Sequence, residues 1–322
     1  MTISGFSFVR NGTLLYLPFI ESMKSILPIC DEFVMAVGEG DLDDETREAL
    51  GRLNEPKLRI VGTTWDLKSF PQNTVFAHET DKALVECTGD WLFYIQGDEA
   101  VHEKYLPVIK SACEYYLEDP TVEGFLFRYR HFWGDYDHVH NDHGWYNREI
   151  RIIRNLPQIR SWRDAQGFRY YEQQPNSYEE YRTKEGNRKL RVIELDAEVY
   201  HYGFVRPPDF MQRKAKRNDQ TYAGKSERDV PEVPLFDYGD LSQLPLFHGT
   251  HPAAMQDWIA KFNWAEDLSK PRPKKLNRPK HKHERAKNKV LTWIETKLLG
   301  GRQILTRKNY ERIGMHSSKL ND

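Results

Sequence analysis

The stretch GDWLFYIQGDE, residues 89–99, decides how the rest of the chain is interpreted. Residues 91–95 form a short run of apolar and aromatic side chains, which is typical of a strand buried on both faces. The run leads through Gln96 directly into the neighbouring carboxylates of Asp98 and Glu99. We therefore expect a buried strand whose carboxyl end presents acidic side chains.

Strand-like and helix-like segments alternate along the first 110 residues, on both sides of this stretch. The other predicted strands cover residues 3–9, 32–37 and 58–62, and the predicted helices cover residues 17–27, 43–53, 74–87 and 105–116. This alternation predicts a doubly wound α/β sheet that is mainly parallel and flanked by helices. Ligands bind beyond the carboxyl ends of the strands in such sheets, so we expect the site there.

Polar residues follow three of these predicted strands. Arg10 and Asn11 come after the first strand, Glu39 after the second, and Gln96 and Asp98 after the fourth. Because the carboxyl ends of parallel strands meet at one edge of the sheet, we expect these side chains to surround a common cleft.

The pattern changes after residue 123. Residues 124–132, 149–154 and 192–202 predict strands of a mixed or antiparallel extension, and residues 210–220, 252–262 and 290–299 predict helices. We therefore expect a mixed, Rossmann-like α/β sheet with a helical, basic C-terminal extension. The predicted division is 1–225 for the sheet domain and 226–322 for the extension.

The composition excludes several classes of protein. The chain has 322 residues, of which 39% are hydrophobic and 30% charged, and this excludes a disordered or fibrous protein. It contains no apolar run of about 18 residues and no signal-peptide pattern, so we expect a cytoplasmic protein. Three widely spaced cysteines without a C-x-x-C pair exclude a disulfide framework and a thiolate zinc ribbon.

Basic residues are concentrated near the C-terminus, although the net charge of the chain is only −1. Residues 270–289 contain ten Lys or Arg residues and one acidic residue. With prolines at 271, 273 and 279, the segment is either a solvated linker or a contact for a phosphate-rich surface, such as lipid headgroups or nucleic acid.

The carboxylate of Asp98 is the candidate metal ligand. A hard divalent cation prefers carboxylate oxygens and is often shared with substrate phosphates. Asp98 at a strand end can supply one such oxygen, and Glu99 can support it. The alternative is that this acidic pair caps the helix that follows, because Asp is a favoured capping residue.

Four segments, in their order along the chain, resemble the motifs of glycosyltransferase family 2, which has the nucleotide-sugar-binding GT-A fold. They are Arg10-Asn11, the acidic segment 38–46 (GEGDLDDET), the stretch 89–99 that leads to a D-x-D-type metal motif, and His201-Tyr202-Gly203. The resemblance covers residues 1–215. The sequence departs from the family at Gln96, where the first Asp of the metal motif is usual, and at Glu39, which stands alone where many members carry two acids.

The resemblance implies a metal-dependent transfer of a sugar from a nucleotide-sugar donor to a hydroxyl group, with inversion. Asp98 and His201 would hold Mg²⁺ or Mn²⁺, and Arg10, Glu39, Gln96 and Asp98 would bind the donor. The acceptor would be a saccharide or a lipid-linked molecule. Contact with an anionic membrane through residues 270–289 would place the enzyme at the inner face of the membrane, and no nucleic acid is expected as a partner.

An inverting transfer needs a general base beside the acceptor hydroxyl. Asp164 follows a predicted strand on the acceptor side, next to Trp162, which can stack on a sugar face. Asp142 and Glu149 are weaker candidates. The alternative for Asp164 is a salt bridge with Arg160 or Arg163.

Three basic residues follow the His-Tyr-Gly segment on a predicted helix. Lys214, Lys216 and Arg217 either contact phosphates or form a solvated basic face of that helix.

The string His138-Val-His-Asn-Asp-His143 is a competing metal motif. Its H-x-H-x-D-H pattern resembles the zinc motif of metallo-β-lactamase-fold hydrolases, which activate water between two metals. The preceding WGDYD segment is not the apolar strand that would present such a loop, so an acceptor-binding loop and an ordinary surface loop are the other interpretations. A third hypothesis is a nucleotide-binding module without catalysis, which Gln96 favours because it removes one acid.

Overall fold

The structure is a computed structural model, and it describes residues 1–140, 142–223, 235–269, 278–300, 303–304 and 308–317. The first part of the basic stretch, residues 270–277, and Asn141 of the histidine string lie outside the described residues.

A mixed sheet forms the centre of the described structure. Its strands are β1 (Ile3–Val9), β2 (Glu32–Gly38), β3 (Leu58–Thr63), β4 (Trp91–Tyr94), β5 (Glu99–Val101), β6 (Gly124–Trp133), β7 (Val139–His140), β8 (Arg148–Arg154), β9 (Ile159–Trp162), β10 (Gly167–Tyr171), β11 (Asn187–Phe204) and β12 (Tyr310–His316). Their main order is β3-β2-β1-β4-β8-β6-β11-β10-β9. The predicted mixed α/β class with helices around the sheet is confirmed.

Helices cover both faces of the sheet. In the described part of the chain they are α1 (Phe19–Ile26), α2 (Thr46–Gly51), α3 (Thr74–Leu84), α4 (Leu106–Tyr115), α5 (Tyr178–Arg182), α6 (Pro208–Ala223), α7 (Gln256–Ile259), α8 (Ala265–Ser269) and α9 (Ala286–Lys297). None of these helices has the length and apolar character that a membrane crossing requires.

Alternate residues of β1 contribute to two hydrophobic cores, because successive side chains of a strand point to opposite faces. Ile3 and Val9 pack in the core that includes α1 and α4. Phe6 packs in the core that includes the end of α3. Burial on both faces explains why β1, β2 and β4, which pair in parallel, have nearly continuous apolar sequences.

The antiparallel strands of the second half enclose the carboxyl ends of the parallel strands. β8 pairs antiparallel with both β4 and β6. β9 and β10 form an antiparallel hairpin, and β10 pairs with the long strand β11. This arrangement brings the β9–β10 turn and the end of β11 towards the residues that follow β4.

The C-terminal extension is not only helical. β12 returns to the sheet and pairs in parallel with β11, with Leu190 opposite Tyr310. The expectation of a helical extension is therefore corrected at β12. The largely polar sequence of this segment did not predict a strand that pairs with the sheet. The division of the chain into a sheet domain, residues 1–225, and an extension, residues 226–322, stays a prediction.

Candidate functional site

A cavity of about 1870 Å³ opens at the carboxyl ends of β1 and β4. It is larger than the roughly 300–1,000 Å³ of a pocket for one small ligand, so it has room for a donor and an acceptor together. Strand ends, the β9–β10 turn, α6 and the C-terminal segment all contribute to its lining. Of the residues predicted from the sequence, it brings together Arg10, Gln96, Asp98, Asp164 and His201.

Asp98 lies at the base of this cavity and is surrounded by cations. Its Oδ2 accepts a hydrogen bond from Lys214 Nζ at 3.0 Å and lies 3.5 Å from Arg206 Nη2. Burial alone would raise the pKa of Asp98, but Lys214, His201 and Arg206 outweigh this effect and hold the pKa well below its ordinary value. The carboxylate is therefore ionised at every physiological pH.

His201 faces the other oxygen of Asp98. The Nδ1 atom of His201 lies 3.0 Å from His131 Nδ1, and its Nε2 atom lies 3.8 Å from Asp98 Oδ1. Burial lowers the pKa of His201 to about 4, against the opposing effect of Asp98, so the imidazole is neutral near pH 7. A neutral imidazole nitrogen and a carboxylate oxygen thus point to the same space.

Gly203 keeps this space open. A Cβ atom on Gly203 would lie 2.4 Å from His201 Nε2 and 2.8 Å from Asp98 Oδ2. Any other residue would therefore displace one of the two side chains. The His-Tyr-Gly segment thus contributes the candidate ligand His201 at its first position and room for that side chain at its third.

Arg206 is a functional residue that the sequence analysis missed. It is fully buried, donates from Nη1 to the carbonyl oxygen of Leu15 at 2.7 Å, and lines the cavity. Its Nε and Nη2 atoms have no hydrogen-bond partner among the described residues. A buried guanidinium with unsatisfied donors beside a cavity is suited to an anionic ligand. The only sequence signal was its place directly after the strand that carries His201.

Glu99 supports the site from behind. It is fully buried and accepts two hydrogen bonds from Arg151, at 2.9 and 2.8 Å, and one from the Tyr129 hydroxyl at 2.8 Å. Its Oε2 atom also accepts a hydrogen bond from the backbone N–H of Gln96 at 3.1 Å. Glu99 therefore fixes the turn that presents Asp98, which is the supporting role expected for it.

Arg10 and Gln96 line the cavity, whereas Glu39 does not. Arg10 donates from Nε to the backbone carbonyl of Glu39 at 2.7 Å and packs over the ring of Trp65. The Glu39 side chain is exposed and lines a separate, smaller pocket of about 450 Å³. Gln96 donates from its amide group to the carbonyl oxygen of Ala165 at 3.4 Å, so the β4 end contacts the turn that carries Asp164.

Two further carboxylates, those of Asp164 and Glu149, line the same cavity. Burial raises the pKa of Asp164, opposed by its backbone hydrogen bond and by Arg163 and Arg182. Burial also raises the pKa of Glu149 to about 8, and the charge of Asp164 raises it further while Arg151 lowers it. Glu149 therefore holds a proton near pH 7, and Asp164 is the first of the two to ionise.

Trp162 does not line the cavity, contrary to the expectation that it stacks on a sugar. Its side chain is buried, with Arg163 and Arg169 packed over the ring at 4.2 and 4.7 Å. Successive side chains of the four-residue strand β9 point to opposite faces, and that of Trp162 points away from the β9–β10 turn that carries Asp164. Aromatic residues that do line the cavity include Trp145 and Tyr146.

The three basic residues of α6 that the sequence analysis singled out, Lys214, Lys216 and Arg217, have different environments. Lys214 contacts Asp98, and burial together with Arg206 lowers its pKa to about 8. Arg217 lines the cavity and pairs with Asp41. Lys216 is not part of the cavity lining.

The ligand residues of the histidine string do not converge on one centre. His138 pairs with Asp135 at 2.9 Å, and His143 pairs with Glu295 at 2.8 Å. His140 contacts Asp142, the third candidate base. The geometry does not support a two-metal hydrolase built from this string, because its outer histidines have other partners.

The described part of the basic stretch faces the cavity. Arg278, Lys280, Lys282 and Arg285 contribute to its lining, together with the histidines between them. Arg278 is paired with Asp237 and Glu284, so Lys280, Lys282 and Arg285 are the residues that add to the positive charge of Arg206 and Lys214. The segment is therefore not simply a solvated linker over residues 278–285.

Comparisons with known proteins find weak similarity of structure. No family model and no curated protein matches the chain. One match is the mannosyltransferase PcManGT from Pyrobaculum calidifontis, solved with GDP-Man and Mn²⁺, with a TM-score of 0.29 and 20% identity. The aligned region covers 38% of this chain and 34% of the mannosyltransferase chain. TarS of S. aureus has a TM-score of 0.39 and 11% identity. The aligned region covers 71% of this chain and 41% of the TarS chain.

A third structure, of a mycobacterial protein, has a TM-score of 0.28 and 18% identity, with coverage of 40% of this chain and 41% of its own. The matched part spans less than half the length of each of these three proteins. Similarity at these TM-scores assigns neither a family nor an activity, so the function has to be inferred from the cavity.

Proposed function

We propose that the protein transfers a sugar from a nucleoside-diphosphate sugar to a hydroxyl group of an acceptor. The observation that carries this proposal is the grouping of Asp98, His201, Arg206 and Lys214 at the carboxyl end of β4, at the base of a cavity that also contains two buried carboxylates. One side of the cavity is suited to an anionic leaving group, and the other to the removal of a proton.

The cations bind the diphosphate of the donor. Arg206 has two unsatisfied donor atoms, and Lys214 lies 3.0 Å from Asp98 with its ammonium group beside the cavity. Charge-assisted hydrogen bonds from such groups stabilise the negative charge that develops on a departing diphosphate. Arg10 and Arg217 extend this positive lining towards the end of β1.

Asp98 and His201 fit a divalent metal as a partial ligand set. Asp98 Oδ1 and His201 Nε2 are 3.8 Å apart, and the absence of a side chain at Gly203 leaves room between them. Mg²⁺ or Mn²⁺ held by these two atoms would neutralise the leaving diphosphate as a Lewis acid. Mn²⁺ accepts an imidazole ligand more readily than Mg²⁺ does.

Asp164 is the proposed general base for an inverting transfer. It lines the cavity and ionises before Glu149, because the charge of Asp164 is one of the causes that raise the pKa of Glu149. An ionised carboxylate can take the proton of an acceptor hydroxyl, and a pKa raised towards neutrality makes it a better base. Protonated Glu149 can donate a hydrogen bond to the same acceptor.

The acceptor is proposed to be a saccharide or a lipid-linked molecule. Trp145 and Tyr146 line the cavity and offer aromatic faces of the kind that stack on sugar rings. Arg278, Lys280 and Arg285 face the same cavity. Their position favours an anionic group inside the cavity over an open membrane surface as the partner of the described basic residues.

A screen of donors, followed by substitution of Asp98, tests the proposed transfer. Purified protein would be screened with UDP-, GDP-, CDP- and dTDP-sugars, with and without Mn²⁺, by thermal shift and by release of the nucleoside diphosphate. A bound donor raises the melting temperature because it binds only the folded state. Asp98→Asn is expected to lower turnover by about 10²-fold or more, since an electrostatic contact to the reacting centre is lost.

The control is Asp209→Asn on the exposed face of α6, which removes the same charge outside the cavity lining and leaves turnover unchanged. Turnover by Asp98→Asn at the wild-type rate would contradict the assignment of Asp98. A nucleoside diphosphate that raises the melting temperature while no donor is turned over would instead indicate the binding module without catalysis.

A further inference from the structure

We infer that His140, Asp142 and His283 form a metal site, separate from Asp98, that holds Zn²⁺ and fastens the C-terminal segment 278–285 to the loop after β6. The inference does not depend on the proposed sugar transfer. It rests on the geometry of the three side chains, on their unsatisfied nitrogen atoms and on the chemistry of the donor set.

The three side chains converge although they come from distant parts of the chain. One ligand atom from each lies within 4.8 Å of those of the other two. The rings of His140 and His283 have centroids 4.7 Å apart, and Nδ1 of His140 contacts Asp142 Oδ2. The ligand atoms of a tetrahedral zinc site are about 3.3 Å apart, given zinc–nitrogen distances of about 2.0–2.1 Å. To reach that geometry, His140 Nδ1 and Asp142 Oδ2 would have to separate, or His140 would bind through Nε2, and the wider pairs of the cluster would have to close.

The nitrogen atoms of this cluster are buried without partners. His140 and His283 are only 3% and 2% exposed. Nε2 of His140 and both ring nitrogens of His283 make no hydrogen bond within the described residues. A buried polar atom without a partner destabilises the folded state, so three such atoms in one cluster require an explanation. A metal ion bound by one nitrogen of each histidine would satisfy two of the three.

The neighbouring groups leave these two histidines as the available ligands. His281 stacks on His283, but its Nε2 atom bonds the carbonyl oxygen of Asp237 at 2.7 Å. His143 bonds Glu295. The tryptophans at 133 and 145 pack against the ring of His140 and limit the access of water.

The donor set selects the metal. Two imidazole nitrogens and one carboxylate oxygen suit Zn²⁺ better than Mg²⁺ or Ca²⁺, which prefer oxygen ligands. Three protein ligands leave one tetrahedral position free, and the cluster borders the large cavity through His140 and His283. The fourth ligand is therefore water or a group of a molecule bound in the cavity.

The site would hold together two parts of the cavity wall. The loop that carries Asp142 and the segment that carries His283 are about 140 positions apart in the sequence. Lys282 already joins them by a hydrogen bond from Nζ to the carbonyl oxygen of Gly144 at 2.6 Å and by packing over the Trp145 ring. A zinc ion would make this junction rigid, since metal binding to preformed ligands contributes to folding free energy.

Metal analysis of the full chain tests the inference. Wild-type protein loaded with Zn²⁺ and dialysed is expected to keep one equivalent, and a strong chelator is expected to lower its melting temperature. His283→Ala is expected to lose the bound zinc and the response to the chelator. Asp98→Asn and His138→Ala are the matched controls, because they alter the other candidate metal site and a histidine of the same string that pairs with Asp135. Both are expected to keep one equivalent.

A measurement on the wild-type protein covers the case in which His283→Ala fails to fold. Co²⁺ substituted for zinc is expected to give the strong visible absorption of a tetrahedral site with nitrogen and oxygen ligands. Wild-type protein that keeps no zinc and gives no such spectrum would overturn the inference. Zinc retained in full by folded His283→Ala, or lost from Asp98→Asn, would do the same.

Discussion

At the scale of single residues, Gly203 tests how the candidate metal ligands are arranged. A Cβ atom at this position would meet His201 Nε2 at 2.4 Å, closer than any van der Waals contact allows. We expect Gly203→Ala to move His201 or Asp98 by about 1 Å and to lower kcat/KM by about 10²-fold, the cost of a small misplacement at a reacting centre. Steady-state kinetics with the donor found by the screen would measure this loss.

The control for that substitution is Gly51→Ala at the end of α2. A Cβ atom there has no neighbour within 4 Å, so kcat/KM should not change. If Gly203→Ala were as active as Gly51→Ala, the space between His201 and Asp98 would have no role in the reaction.

The pH dependence of the reaction separates the two candidate bases. A base must be ionised, so the rate falls as the pH falls through the pKa of that base. Burial raises the pKa of Asp164 above its ordinary 3.8, and Asp164 ionises before Glu149, whose pKa is about 8. We expect the acid limb of kcat/KM between these two values, with Asp164→Asn inactive over the whole range.

Glu149→Gln is the informative companion variant in the same pH titration. Glu149 is already protonated in the pH range in which Asp164 titrates. Replacing it with Gln should therefore leave the acid limb of kcat/KM in place. An acid limb near pH 8 that disappears in Glu149→Gln would make Glu149 the base instead of Asp164.

At the scale of secondary structure, the sequence predicts the elements whose burial follows a local pattern. β1, β2 and β4 are buried on both faces, and their nearly continuous apolar runs identify them to within about two residues. β5, β7 and β9 have only two to four residues and were missed. They exist because β11 pairs with β5, β6 with β7 and β10 with β9, and this information is not local.

The candidate site was predictable to the same extent. Asp98 and His201 follow from the ends of strands and from the family resemblance, because both depend on neighbouring residues in the chain. Arg206 had only its place after a strand as a signal, since a lone arginine before two prolines has no distinctive pattern. His283 was out of reach as a partner of His140, because only the folded chain brings residues 143 positions apart into contact.

At the scale of the whole molecule, the C-terminal extension completes the cavity instead of leaving the sheet domain. β12 pairs with β11, and residues 278–285 line the cavity opposite the ends of the parallel strands. The basic residues of this segment therefore add to a field that is already positive around Arg206 and Lys214. In a cleft with low-dielectric walls, such a field concentrates anionic ligands and weakens as salt rises.

A double charge reversal tests this role of the extension. Lys280→Glu combined with Arg285→Glu places two negative charges on the cavity wall, and we expect kcat/KM to fall by about tenfold or more at low salt. The difference from wild type should shrink as salt is added, because screening acts on exposed charges at a distance. Lys297→Glu, on an exposed position of α9 outside the cavity lining, is the control and should change kcat/KM little. A double variant that matches this control at low salt would show that the basic segment serves a purpose other than binding an anion in the cavity.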